Sequence, residues 1–209
     1  MFSLQTIFGK GDKFYGLLEQ SAEAARESAR ALHDLVSRKD HAPVMTAFAA
    51  SRAREKALAA QISEELVNTF VTALDREDIE ALNSALYKIP KTIEKFAERY
   101  DIVGDRLADI DFAPRSLVLE RSAAVVEEMI GELRRGLRID PVKKLQDRLQ
   151  TLEAEGDRML LSPYRTLYVE GNDAMRAMLA KDLFELLEKA IDKCRDVGNI
   201  VYSIVLKNS

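Results

Sequence analysis

The sequence predicts an all-α protein, a six-helix bundle of two tandem, sequence-related three-helix units. Three observations carry this. Apolar residues recur at helical spacing through six long stretches. Only nine Gly and five Pro interrupt the chain, and alternating β-branched runs are scarce. Residues of one half recur in the other at a constant offset of 101. Residues 1–209 read as a single domain, with a first unit over 12–100 and a second over 115–207.

The first helix is expected from about Lys13 to Arg38, rich in alanine, ending near "SRKDHAP". The "GKGD" at 9–12 lacks the spacing of a phosphate-binding loop and reads as a flexible leader. A second helix starts around Pro43, which suits a first turn, and runs to about Thr72. The third opens at "DREDI", where Asp75 caps and Asp78 falls three residues on, as in a capping box. It continues to about Tyr100, and Pro90 inside it predicts a kink or irregular turn. A turn-rich link, "DIVGDRLADIDFAP", separates the halves. The last three helices cover roughly 115–137, 141–169 and 173–206, and their short connections imply antiparallel neighbours.

The offset is gapless across three helices. Leu18 matches Leu119, Ser21 matches Ser122, Ala22 matches Ala123, Glu27 matches Glu128 and Leu32 matches Leu133. Farther on, Leu66, Leu82, Leu86 and Lys88 match Leu167, Leu183, Leu187 and Lys189. This reads as an internal duplication.

Composition narrows the function classes. At 47% hydrophobic, 209 residues have ample core. The net charge of −4 is spread along the chain, which argues against nucleic acid as the main partner. The lone Cys194 can form no internal disulfide and suits a reducing compartment. The longest apolar run, near "NIVYSIVL", is far shorter than the ~20 residues of a spanning helix. The N-terminus has too short an apolar stretch for a signal peptide. A cytoplasmic location is expected, with membrane contact only through a partner.

The acidic residues raise the main chemical question. Glu153 and Asp157 stand four apart on the fifth helix, and Glu188, Asp192 and Asp196 form an i, i+4, i+8 ridge on the sixth. If these helices are antiparallel neighbours, the ridges converge into an oxygen-rich cluster suited to Mg²⁺, Mn²⁺, Zn²⁺ or Fe. The competing reading is a solvated face screened by Lys189, Lys193, Arg158 and Arg195. At the matching positions of the first half stand Arg52 and Lys56, with Tyr87 and Lys91 aligned to Glu188 and Asp192.

Other chemistries find little support. A ferritin-like di-iron site uses Glu-x-x-His motifs, and neither His33 nor His41 has a glutamate three residues before it. Both read as surface or turn residues. Cys194 reads as a packed thiol. Phe14, Tyr15, Phe70 and Phe96 read as core aromatics.

Four stretches give a more specific signal: "FGKGDKFYGLLEQSAE", "LVNTFVTALDREDIEALNSAL", "LEAEGDRM" and "LFELLEKAIDKCRDVGNIVYSIVLKN". The most specific parts are the T-x-x-D-R-E-D-I from Thr72 to Ile79 and the D-x-C-x-D-V from Asp192 to Val197. Across nearly its whole length the chain resembles the PhoU-like family, in particular the branch of putative phosphate transport regulators encoded beside Pit-type transporters. The resemblance implies two related three-helix units, each carrying acidic E/D-x-x-x-D motifs for multinuclear metal clusters. On that pattern Glu153, Asp157, Glu188, Asp192 and Asp196 make the second unit competent for metal. The first unit departs from it, so no metal is expected there. Arg52, Lys56 and Lys91 would instead pair with Glu55, Glu94 or a partner, or meet an anion.

The resemblance further implies a non-enzymatic regulator or accessory protein of inorganic phosphate transport, docking on a transporter or phosphate-sensing complex at the cytoplasmic membrane face. Self-association through the Ala- and Ser-rich first helix is compatible with it. The alternative is a metal store or metal-dependent enzyme using the same acids.

Overall fold

The computed structural model describes residues 4–37, 45–169 and 173–208, without the side chains of 4–12, 47, 160–164 and 166–169. Six α-helices follow one another: α1 (Leu4–Ser37), α2 (Met45–Asn68), α3 (Arg76–Val103), α4 (Ala113–Arg134), α5 (Ile139–Val169) and α6 (Ala174–Lys207). A short 3₁₀ turn, Gly104–Leu107, follows α3, and no strand occurs among the described residues. The all-α expectation therefore holds.

Four helices form the centre. α1 lies against α4 and α3 against α6, while α2 and α5 flank them on the outside, each packed on the two other helices of its own half. The reason is the periodicity of the apolar residues. Leu18, Ala22, Ala25, Ala29 and Leu32 make one buried stripe on α1, and Leu119, Ala123, Val126, Ile130 and Leu133 make the stripe on α4. Each residue of the second set stands 101 positions after its counterpart. The alanines of α1 let the α4 backbone approach closely. At this seam Arg26 Nη1 donates to Glu127 Oε2 at 2.7 Å, so two positions related by the same offset face each other.

α3 and α6 run antiparallel. Lys207 at the end of α6 holds Asp78 at the start of α3 (2.8 Å), and Arg99 approaches Asp182 at the opposite end (3.5 Å). α5 lies close on α6: a Cβ on Gly198 would meet Leu149 Cδ1 at 2.5 Å and Gln146 Oε1 at 2.7 Å. Between the halves, the expected link is packed rather than loose. Leu107 and Phe112 are buried, and Phe112 sits among Phe96, Tyr100 and Phe184, with ring centroids 4.8–5.9 Å away.

Several local expectations need correction. The backbone of 9–12 is helical, part of α1, not a leader. α3 continues through Pro90 without a break in its helical assignment. Asp75 stands at the N-cap of α3, but its side chain makes no capping bond, and no capping box forms because Asp78 is committed to Lys207. α2 ends at Asn68, where Arg76 reaches back and donates to the carbonyls of Leu66 and Thr69, satisfying groups that the helix end leaves open. Asp173, by contrast, caps α6 by accepting from the Met175 N–H at 2.9 Å. The start expected at Pro43 lies outside the described residues.

Phe70 also departs from expectation. It is 100% exposed on the turn after α2, with Val67 and Val71 exposed beside it, whereas Phe14 and Phe96 are core residues as expected. Two phenylalanines should therefore respond in opposite ways. Phe112→Ala is expected to cost about 3–5 kcal/mol in urea unfolding. Phe70→Ala should stay within about 0.5 kcal/mol of the parent, as a surface change does.

Candidate functional site

The five predicted carboxylates lie along the α5–α6 contact. Glu153, on α5, accepts from Arg195 Nη1, and the same Nη1 is 3.5 Å from Asp192 Oδ1. Asp196 accepts from Lys193 Nζ at 2.6 Å. Asp157 is exposed and Glu188 half-buried. Burial raises the protonation range of the Glu188 carboxyl, and the charges of Asp157, Asp192 and Glu185 push the same way against the opposing Arg115 guanidinium. Asp157 and Asp192 are thus within electrostatic reach of Glu188, while Glu153, Asp192 and Asp196 meet cations of the same half. Among the described residues no three of these side chains gather into a group that could hold a metal ion.

The matching region of the first half is an α2–α3 contact. Arg52 is 4% exposed; its Nε donates to Glu94 Oε2 at 3.1 Å, and its guanidinium lies 4.2 Å over the Tyr87 ring. Lys91 Nζ is 5.8 Å from the same ring centroid, and Lys56 is exposed. An anion meeting all three cations would have to reach a guanidinium already closed off from solvent and paired.

These two contacts are one design in two polarities. Arg52 and Glu94 are 42 residues apart, as are Glu153 and Arg195. Adding the offset of 101 to the first pair gives the second, with acid and base exchanged. In each half, therefore, the outer helix is tied to the third helix by an ion pair at the same frame position. Sequence reasoning found the reversal at Arg52 and Glu153 but not its completion at Glu94 and Arg195. The signal was present in the same alignment.

Residues outside the expected set complete the picture. Glu55, one turn from Arg52, has no exposed surface, and the Glu132 carboxylate is buried between Arg135 (2.7 Å) and Arg138 (3.3 Å). His33 is half-buried on α1 and its Nδ1 is 2.9 Å from the Ser116 hydroxyl of α4, so it joins helices rather than facing water. His41 lies outside the described residues. Cys194 is fully buried, and burial drives its thiol far from ionisation, as a packed cysteine requires.

No family model matches the chain. It is 24% identical over 146 residues to the UPF0111 protein YkaA of Bacillus subtilis (strain 168), spanning 70% of this chain and 71% of that protein. Among solved structures it is similar to a PhoU-like protein from Shewanella oneidensis MR-1, with a TM-score of 0.82 and 16% identity. A putative PhoU-like phosphate regulatory protein from the same organism gives a TM-score of 0.80, again at 16% identity. Each likeness covers 93% of this chain and 99% of the other. The chain has the PhoU-like fold. The charge-exchanged pairs are thus placed on the outer helices of a PhoU-like bundle, where α2 and α5 meet α3 and α6.

Burial separates the two pairs energetically. Arg52→Ala removes the cation beside buried Glu55 and is expected to cost about 3–5 kcal/mol. Arg195→Ala, whose partners are half-exposed, should cost about 1 kcal/mol or less. Because this fold accepts either polarity, Glu153→Arg/Arg195→Glu should unfold at a higher urea midpoint than Glu153→Arg alone. A double variant no better than the single one would show the pair to be incidental.

Proposed function

We propose that this chain is a non-enzymatic regulator or accessory protein of inorganic phosphate transport, acting as a helical adaptor on a transporter or phosphate-sensing complex at the cytoplasmic membrane face. The supporting observation is the likeness over nearly the whole chain to a structure described as a putative PhoU-like phosphate regulatory protein. The motifs shared with the branch beside Pit-type transporters narrow the reading to transport. No described helix is long and apolar enough to cross a membrane. The Cys194 thiol is sealed in the core, which leaves the adaptor without that nucleophile.

The turn after α2 supplies a docking feature. Arg76 clamps the turn by its bonds to Leu66 and Thr69, and Thr72 Oγ1 donates to the Leu74 carbonyl at 2.6 Å. Phe70 and Val71 are therefore presented on a pre-organised backbone, and a well-held aromatic anchor loses little freedom on binding. The chain should copurify with an inorganic phosphate transporter from its own host, and Phe70→Ser/Val71→Ser should abolish this while keeping the helical circular dichroism. Failure of the parent protein to copurify counts against the adaptor reading; an unaffected double variant counts against the turn.

A second reading places a divalent or trivalent cation (Fe, Zn, Mn or Mg) on the second unit, as an accessory to the adaptor or in a metal store or metal-dependent enzyme. The like charges of Asp157 and Asp192 acting on Glu188 favour it, since a cation would relieve their repulsion. Glu153 and Asp196 could join only by giving up Arg195 and Lys193. Elemental analysis of the purified protein and of Asp157→Ala/Asp192→Ala separates the readings. Metal present in the parent and lost in the variant supports the second; none in either removes it and leaves the adaptor standing.

A further inference from the structure

Four buried polar atoms at the meeting of α1 and α2, Ser21 Oγ, Arg52 Nη1 and both carboxylate oxygens of Glu55, find no partner at ordinary hydrogen-bond geometry, and the Ser21 hydroxyl offers Glu55 a weak contact at most. Ser21 and Glu55 have no exposed surface and Arg52 has 4%. Such a group is costly in a packed interior, and an ionised one most of all. The fold does not require a polar group there. The counterpart of Glu55 on α5 is Gly156, where an added Cβ would come within 3.1 Å of Ile191 Cδ1 and 3.9 Å of Val118 Cγ1. The second half fills that space with hydrocarbon. The first half fills it with a carboxyl.

The charges around Glu55 do not balance. From α2 it is faced by Arg52 and Arg54, and from α1 by the Ser21 hydroxyl. Arg54 is already bound to Glu23 and Glu27 of α1, at 3.2 and 2.6 Å. From α3, Glu94 holds Arg52 through Nε, Tyr87 stacks under the guanidinium, and Lys91 lies beyond on the same ring. Arg52 is thus paired with Glu94 and only within electrostatic reach of Glu55, so a buried negative charge is left over on Glu55 unless a proton is taken up.

We propose that Glu55 is a proton-operated switch on the packing of α2: protonated, it leaves Arg52 to Glu94 and Tyr87, and ionised, it draws the guanidinium off Glu94 and loosens α2 from α3. Burial pushes the Glu55 carboxyl up from 4.5 to about 7, overcoming the lowering by Arg52, Arg54 and Ser21. The change therefore falls in the neutral range. The native state keeps a proton that the unfolded chain has released above pH 4.5, so this contribution to stability is full at low pH and is lost as pH rises to about 7.

NMR of the full chain carrying ¹³C-carboxyl glutamate and ¹⁵N-arginine reads both halves of the switch between pH 4 and 9. One glutamate should titrate near neutrality and vanish in Glu55→Gln. The Arg52 Nε–H resonance should move with the same midpoint in the parent and stay fixed in Glu55→Gln. The folded-to-unfolded ratio of the parent should fall by on the order of a hundredfold relative to Glu55→Gln as pH rises through this window. Should Glu55→Gln fail to fold, Glu94→Gln serves instead: releasing Arg52 to Glu55 should lower the Glu55 midpoint. An Arg52 resonance that ignores the Glu55 titration, a Glu55 that titrates as an ordinary carboxylate, or a midpoint unmoved by Glu94→Gln overturns the proposal.

Discussion

The arrangement of this bundle rests on the apolar stripe that α1 and α4 turn toward each other. Leu18, Ala22, Ala25, Ala29 and Leu32 meet a partner set built on the same spacing, and every side chain involved is buried. Removing that apolar surface from water is the main favourable term in folding, at roughly 25 cal/mol per Å². Once this seam forms, α3 and α6 have one way to cover its flanks, and α2 and α5 are left outside. The outer helices have less apolar surface to offer, so their placement depends more on polar contacts. That is why the chemistry of this protein gathers at the α2–α3 and α5–α6 contacts.

At those contacts the physical requirement is for opposite charges across the helix pair, not for a given sign on a given helix. A guanidinium and a carboxylate at two frame positions attract equally well in either order. A duplicated fold can therefore exchange them without moving a backbone, provided both positions change. Arg52–Glu94 and Glu153–Arg195 are such a pair of solutions. Their environments then diverge. Arg52 is closed in by Tyr87, whereas Arg195 keeps about a third of its side chain in water and spans Glu153 and Asp192. The same geometry is a buried internal contact in one half and a part-exposed, solvent-screened contact in the other.

The sequence made the helices legible because their apolar spacing is local information. Six elements, their order and the packed character of Phe96 and Cys194 follow from that spacing. What escaped depends on distant partners. The capping box at Asp75 is locally well formed in sequence, yet Asp78 goes to Lys207, 129 residues away. Phe70 continues the stripe of Leu58, Ile62 and Leu66 in sequence, but α2 stops at Asn68 and the turn carries the ring outward. The acidic ridge was legible as a set of positions, but which of its members meet cations depends on the helix pairing. Arg195 looked like a screening charge in sequence; only its place opposite Glu153 makes it a structural partner.

Glu55 shows why an ion pair in one half is not equivalent to its counterpart in the other. In the second half, Gly156 and the side chains of Ile191 and Val118 close the space that a carboxyl takes in the first half, and Arg195 is shared by Glu153 and Asp192. In the first half, the counterpart of Ile191 is Pro90, whose ring does not extend as an isoleucine does, and a carboxyl occupies the room. The cation paired with Glu94 then lies within electrostatic reach of a second acid inside the bundle. Hydrocarbon at this point adds no titrating group beside the pair; a carboxyl adds one whose effect on the contact depends on a proton. A single exchange between glycine and glutamate, at equivalent positions of one fold, separates a fixed joint from an adjustable one.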